Sequence, residues 1–208
     1  MKGLKICGVS DHKILKDILN HNHRPTMIGF ITNYKKSRRY VELKKLRKLT
    51  NVDKKQVKFV SVLVSPNDEI LEKIKNFNFD YYQLYDVSPE RTKIIRTKYK
   101  KKIITALTIK DKKDVNKYKD YLSISDIFLF DGKGYEKSIG FQHSLLEDLP
   151  NNIEKMIAGD IKYNDNLDNF KKIANIIDLS GSLETEDNKD LKKIDIFLNN
   201  LKELNAQN

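Results

Sequence analysis

Short apolar runs recur along the chain with polar segments between them: LKICGV (4–9), TMIGFI (26–31), VKFVSVLV (57–64), DYYQLY (80–85), KIITALTI (102–109), DIFLFD (126–131), KMIAGDI (155–161) and NIIDLSG (175–181). Most are rich in β-branched and aromatic residues and lack polar alternation, the pattern of parallel strands covered on both faces. The intervening segments carry apolar residues three or four apart, as in Leu43, Leu46 and Leu49 or in Ile70, Ile74 and Phe77. That spacing predicts crossover helices. Ser65-Pro66-Asn67-Asp68 and Ser88-Pro89-Glu90 supply helix starts, since a cap side chain accepts from first-turn N–H groups and proline fits the first helical position. A last helix is expected from Lys189 to Leu204, with Leu191, Ile194, Phe197, Leu198 and Leu201 on one stripe.

Eight strand-helix units in 208 residues, without a Pro/Gly-rich linker or low-complexity tract, predict an α/β chain folded as one minimal (β/α)8 TIM-barrel domain over residues 1–208. A doubly wound open sheet shares the alternation. The count of eight and the lack of a glycine-rich fingerprint after the first strand favour the barrel.

Charge changes the picture less than its size suggests. The formal charge is +11, which raises the question of an anionic partner. Only six of the 40 basic residues are arginines, however, and lysine doublets at 35–36, 54–55, 112–113 and 192–193 are spread over the whole length. Such spreading describes solvated helix faces, so nucleic acid is not an expected partner. No apolar run approaches the roughly 20 residues that span a bilayer, and the N-terminus lacks the order of a signal peptide. The expectation is a cytoplasmic protein with no membrane partner. One cysteine, Cys7, excludes an internal disulfide and a cysteine-based metal cluster. His21 and His23 have no further His or Cys nearby, so no metal is expected, and His12 and His143 are assigned to the polar surface.

In a barrel of this kind the site forms at the C-terminal ends of the strands and in the loops that follow. That rule selects Cys7, Asp131, Gly159, Asp160, the stretch from Asp178 to Glu184, and the basic run Ser37-Arg38-Arg39 after the second strand. Singly, each has an ordinary reading. A strand cysteine is more often an inert core residue, and Asp131-Gly132 suits a turn. In DLSGSLET, small residues after a strand expose successive backbone N–H groups that can cradle a phosphate, or they form a plain turn.

Taken in order, KICG (5–8), SRRYV (37–41), QL (83–84), FLFDG (128–132), AGD (158–160) and DLSGSLE (178–184) followed by Lys189-Asp190 resemble the phosphoribosylanthranilate isomerase family of tryptophan biosynthesis, over essentially the whole chain. The resemblance implies a (β/α)8 barrel that performs an Amadori rearrangement of N-(5'-phosphoribosyl)anthranilate to the 1-deoxyribulose 5-phosphate product. It implies a small phosphorylated substrate, no cofactor, and a monomer or homodimer. It implies Cys7 as general base, Asp131 as general acid, Arg39 on the anthranilate end, Gly159, Asp160, Gly181 and Ser182 around the phosphate, and Asp178 near the substrate. A free carboxylic acid is ionised at neutral pH and a free thiol is protonated, so each must be tuned. Burial and a nearby negative charge are expected to raise Asp131, while hydrogen bonds or a cation such as Lys5 or Arg39 are expected to lower Cys7.

Several positions depart from the family pattern. GYEKSIG (134–140) stands where a glycine-rich loop is usual, Gly159-Asp160-Ile161 replaces Gly-Gly-Leu, Tyr85-Asp86 replaces His-Gly, Arg38 replaces a proline, and Phe141-Gln142-His143 replaces Phe-Asp-Trp. Bulk in place of glycine obstructs close backbone approach, and a carboxylate at 160 repels a phosphate unless it turns away or Lys162 offsets it. Two readings therefore stand side by side: a divergent active isomerase, or a barrel that binds another sugar phosphate or has lost catalysis.

Overall fold

The computed structural model describes residues 1–132 and 140–206, with side chains through residue 200. Its eight strands are β1 (Gly3–Cys7), β2 (Met27–Ile31), β3 (Lys58–Val64), β4 (Tyr81–Tyr85), β5 (Lys102–Thr108), β6 (Ile127–Asp131), β7 (Lys155–Ala158) and β8 (Ile176–Leu179). Each pairs in parallel with the next, and β8 returns to β1 with Lys5 opposite Asp178, which closes the barrel. An open sheet is thereby ruled out. The apolar runs read from sequence overlap the strands, but the first, seventh and eighth extend past strand ends at Cys7, Ala158 and Leu179; positive φ values at Gly8 (75°), Gly159 (91°) and Asp160 (52°) turn the chain after the first and seventh.

Side chains alternate across each strand, so two apolar layers result. Cys7, Met27, Val60, Val62, Tyr81, Tyr85, Ile104, Leu129, Met156 and Ile176 form one buried cluster that fills the barrel interior. Leu4, Ile6, Ile28, Phe30, Phe59, Tyr82, Phe128 and Ile177 face outward and join the helices in the larger cluster. This two-sided burial is why the strands read as continuous apolar runs.

Helices α1 (His12–Asn20), α2 (Leu43–Thr50), α3 (Asp68–Ile74) and α4 (Pro89–Tyr99) cross over after the first four strands. Asn67 and Ser88 cap the third and fourth as expected, accepting from the backbone N–H groups of Ile70 and Arg91. After β5 the helix α5 (Lys112–Asn116) is short and continues as a 3-10 turn. The expectation of a helix in every unit fails after β6 and β7, where the described residues form only 3-10 turns at 143–146 and 167–170. The second connection is crowded with Asn and Asp, whose side chains bind nearby backbone instead: Asn166 accepts from the N–H of Asp168 at 2.9 Å and Asp165 from that of Lys162 at 2.8 Å. Such local bonds compete with helix formation.

The chain returns through a two-residue hairpin, Glu184–Thr185 against Asn188–Lys189, into α6 (Leu191–Ala206). Ile194, Phe197 and Leu198 are buried on its inner stripe, whereas Leu191 is 38% exposed. The first residue of a helix has neighbours on one side only, and this corrects its place in the predicted stripe. The side chain of Leu201 lies outside the described residues. No helix among them is long and apolar enough to cross a membrane.

Candidate functional site

A cavity of about 600 Å³ opens at the C-terminal end of the barrel. Seven of the eight residues singled out from sequence line it: Cys7, Arg39, Asp131, Gly159, Asp178, Gly181 and Ser182. Asp160 does not. Its side chain is exposed and turned toward Gly140, where an added Cβ would come within 2.4 Å of the Asp160 Cβ. The anticipated repulsion between this carboxylate and an anion is relieved by the left-handed backbone at 160, a conformation Asp tolerates better than most residues.

The floor of the cavity is electrostatic. Positions 5 and 7 of β1 both point inward, and Lys5 Nζ donates to Asp178 Oδ2 at 2.6 Å in a fully buried ion pair below Cys7. Burial alone would push the Lys5 ammonium down, but Asp178 and the Cys7 sulfur outweigh it and hold Lys5 charged. Room for this pair comes from Gly29 on β2, where a Cβ would lie 2.9 Å from Cys7 Sγ and 3.2 Å from Lys5 Nζ.

Burial dominates both titrating groups at the cavity wall. It pushes the Asp131 carboxyl up to about 7, with Asp178 adding to the rise and a hydrogen bond from Tyr85 opposing it. This agrees with the direction expected from sequence. For Cys7 the expectation is reversed: burial raises the thiol, and the attraction of Lys5 does not compensate. The cause is simple: Cys7 as a residue is only 8% exposed, and Asp178 offsets part of the charge on Lys5.

At the rim, Arg39 is not a free guanidinium. Its Nε and Nη2 donate to the two carboxylate oxygens of Glu184 at 2.6 and 2.7 Å, a bidentate pair. Arg38 donates to the same carboxylate at 2.7 Å, and Lys189 does so at 2.7 Å. Burial works against the charge on Glu184, but Arg39 and Lys189 prevail and draw its carboxyl down to about 2. Arg39 Nη1 makes no hydrogen bond among the described residues. The stem of Arg39 crosses Gly8, whose φ of +75° and a 2.3 Å approach between Arg39 Cδ and any added Cβ require glycine there.

Three buried polar atoms on the cavity-lining residues have no hydrogen-bond partner: Asp178 Oδ1, Gln83 Oε1 and Ser182 Oγ. Such atoms are costly unless something satisfies them. His143, assigned to the surface from sequence, is instead half-buried with its ring edge-on to Phe141 and Phe170 at centroid distances of 4.9 and 5.5 Å. Its ring also hydrogen-bonds the backbone of Gly159 and so braces the loop after β7. His21 is occupied locally, with Nδ1 on the His23 carbonyl and Nε2 on Asp195. Of the GYEKSIG stretch, only Gly140 is among the described residues.

Sequence reasoning passed over Tyr85, whose hydroxyl donates to Asp131 Oδ2 at 2.9 Å, and the gathering role of Glu184. The first had a signal, because Tyr81, Gln83 and Tyr85 share the inward face of β4. The second had none, since it depends on loops 145 residues apart meeting in space.

Comparison with known proteins places this geometry. The family model described as N-(5'phosphoribosyl)anthranilate (PRA) isomerase matches residues 4–200. A Rhizobium rhizogenes protein named N-(5'-phosphoribosyl)anthranilate isomerase is 34% identical over 209 aligned residues, covering 93% of this chain and 91% of the relative. The crystal structure of phosphoribosyl anthranilate isomerase from Thermotoga maritima superposes with a TM-score of 0.85 at 21% identity, covering 98% of this chain and all of the other. A phosphoribosyl anthranilate isomerase solved with reduced 1-(o-carboxyphenylamino)-1-deoxyribulose 5-phosphate superposes at 0.83 and 20% identity, again over 98% of this chain and all of the other.

Proposed function

This chain belongs to the N-(5'-phosphoribosyl)anthranilate isomerase family, and we propose that Cys7 and Asp131 are the base and acid with which it isomerises phosphoribosylanthranilate in tryptophan biosynthesis. The single observation that carries the assignment of roles is that the Cys7 thiol and the Asp131 carboxyl, 124 positions apart in sequence, line one cavity of about 600 Å³.

The chemistry needs one proton given and one taken. Asp131 protonates the ribose ring oxygen, the bond from that oxygen to the anomeric carbon breaks, and the anthranilate nitrogen lone pair forms the Schiff base. Cys7 as thiolate then removes the proton from the adjacent carbon, and the electrons of that C–H bond neutralise the iminium to give an enolamine that tautomerises to the ketone. A carboxyl titrating at about 7 keeps a substantial protonated fraction at neutral pH, as a donor requires. Cys7 starts from the other side: burial favours its thiol, and the Lys5 ammonium beneath it stabilises the thiolate whenever it forms. The productive enzyme form is therefore a minor one, with Asp131 protonated and Cys7 ionised.

Arg39 is positioned at the mouth by Glu184, with Nη1 left for the anthranilate carboxylate. The loops at Gly159 and at Gly181-Ser182, which line the cavity, are offered to the phosphate. Asp178 serves through Lys5, whose ammonium it holds beneath Cys7. Asp160 takes no part through its side chain. We assign the reaction to the cytoplasm, where a small diffusible sugar phosphate is available.

The test is turnover of phosphoribosylanthranilate by the purified protein, followed as loss of anthranilate fluorescence. Cys7→Ala and Asp131→Asn should each abolish nearly all of it while remaining folded. A wild-type protein as inert as both variants would remove the reading.

A further inference from the structure

We propose that Tyr85 is a positioning residue for the proton donor: its hydroxyl, donating to Asp131 Oδ2, orients the carboxyl and stabilises the carboxylate that proton transfer leaves behind. The inference rests on the reading of Asp131 as the acid. Its foundation is the register of three strands. Tyr85 on β4 lies opposite Ala106 on β5, and Ala106 lies opposite Leu129 on β6, two residues short of Asp131. Neighbouring strands are about 4.8 Å apart, so Tyr85, Asp131 and the hydrogen bond between them must together bridge roughly 10 Å along the cavity wall. A tyrosine is long enough when the residue between is small, and Ala106 is. The result is a 2.9 Å hydrogen bond between two buried groups, with Gln83 Nε2 approaching the Tyr85 oxygen at 3.4 Å from the same face of β4.

The hydroxyl is a dependable donor because burial, and then the nearby Asp131, keep it from ionising anywhere near neutral pH. Among the described residues, the groups that act on Asp131 divide by sign. Burial and Asp178 on β8 favour its protonated form, while Tyr85, Lys5 on β1 and the Gly132 backbone N–H favour the ionised one. Cys7 on β1 faces the same hydroxyl, and the register neighbours on β5 and β7 are the uncharged Thr108 and Ala158. Tyr85 is thus the direct hydrogen-bond donor from another strand, and it occupies the position where the family usually has a shorter histidine.

The experiment uses Tyr85→Phe, which keeps the ring and removes only the donor. A hydrogen bond to a charged acceptor is worth enough that the Asp131 carboxyl should titrate about one pH unit higher without it, a tenfold change in proton affinity. That is read by carbon NMR of labelled aspartate, with Asp131→Asn identifying the signal, and the lower break in the pH profile of kcat/KM should move by the same amount. Lost orientation should lower kcat more than it raises KM. If the titration and the break both stay in place while kcat falls equally at all pH values, Tyr85 merely fills space and the proposal is overturned. If wild type does not turn over phosphoribosylanthranilate, the proposed function fails, and the NMR titration, which needs no turnover, still decides whether Tyr85 governs Asp131.

Discussion

Asp131 should cost the protein stability at the pH where it works, and Asp131→Asn exposes that cost. An aspartate in the unfolded chain titrates near 3.9, whereas in the fold burial raises this carboxyl to about 7. A folded-state value above the unfolded one means that the native protein binds the proton more tightly. The stabilisation is fully present below about pH 4 and is lost as the pH rises through about 7. The gap of roughly three pH units corresponds to an upper bound of about 4 kcal/mol, at 1.36 kcal/mol per unit. Asparagine has nearly the same volume, can still accept from Tyr85, and cannot ionise. Relative to wild type, the variant should therefore gain about 3 kcal/mol between pH 5 and pH 8.5, because about one unit of the window is already spent at pH 5. For a chain of this size that is roughly 5–10 °C in Tm. Urea unfolding at four or five pH values measures it, alongside the expected loss of activity. A stability difference that stays constant from pH 5 to 8.5 would refute the claim that Asp131 is buried at a penalty.

Three other perturbations follow from the same geometry. Lys5→Met leaves the buried Asp178 without its partner, so a loss of about 3–5 kcal/mol in urea unfolding is expected at neutral pH, and a loss under 1 kcal/mol would mean that the pair is not buried as described. Gly29→Ala drives a methyl to within 2.9 Å of Cys7 Sγ, and should cost about 1–3 kcal/mol and lower kcat by displacing the sulfur; unchanged kinetics would place Cys7 elsewhere. Glu184→Gln should raise KM more than it lowers kcat, because Arg39 loses its bidentate anchor. The stabilising effect of the depressed Glu184 carboxyl is present above its unfolded value near 4.3 and is lost as pH falls through about 2, so the variant's stability deficit should shrink over that acid range.

The strand pattern, the count of eight and the C-terminal rim were legible in the chain because they depend on local chemistry: apolar runs, caps such as Asn67 and Ser88, and the ends of strands. Cys7 and Asp131 could be nominated for the same reason, since both terminate strands. What failed was equally local in origin. The helix expected after β7 gave way to turns where Asn and Asp bind their own backbone, and Asp160 turned aside through a backbone torsion that no spacing rule predicts.

Sequence alone thus determined the eight strands and at which end of the barrel the candidate residues sit, because apolar runs and strand ends are local properties of the chain. Only the closed tertiary structure decided their charge states and partners. Burial of Cys7 outweighs the cation beside it, Glu184 gathers Arg38, Arg39 and Lys189 from distant loops, and Tyr85 reaches Asp131 past a small residue on the strand between. Desolvation and Coulomb attraction depend on what surrounds a group in three dimensions, and closure of the barrel is what sets those surroundings.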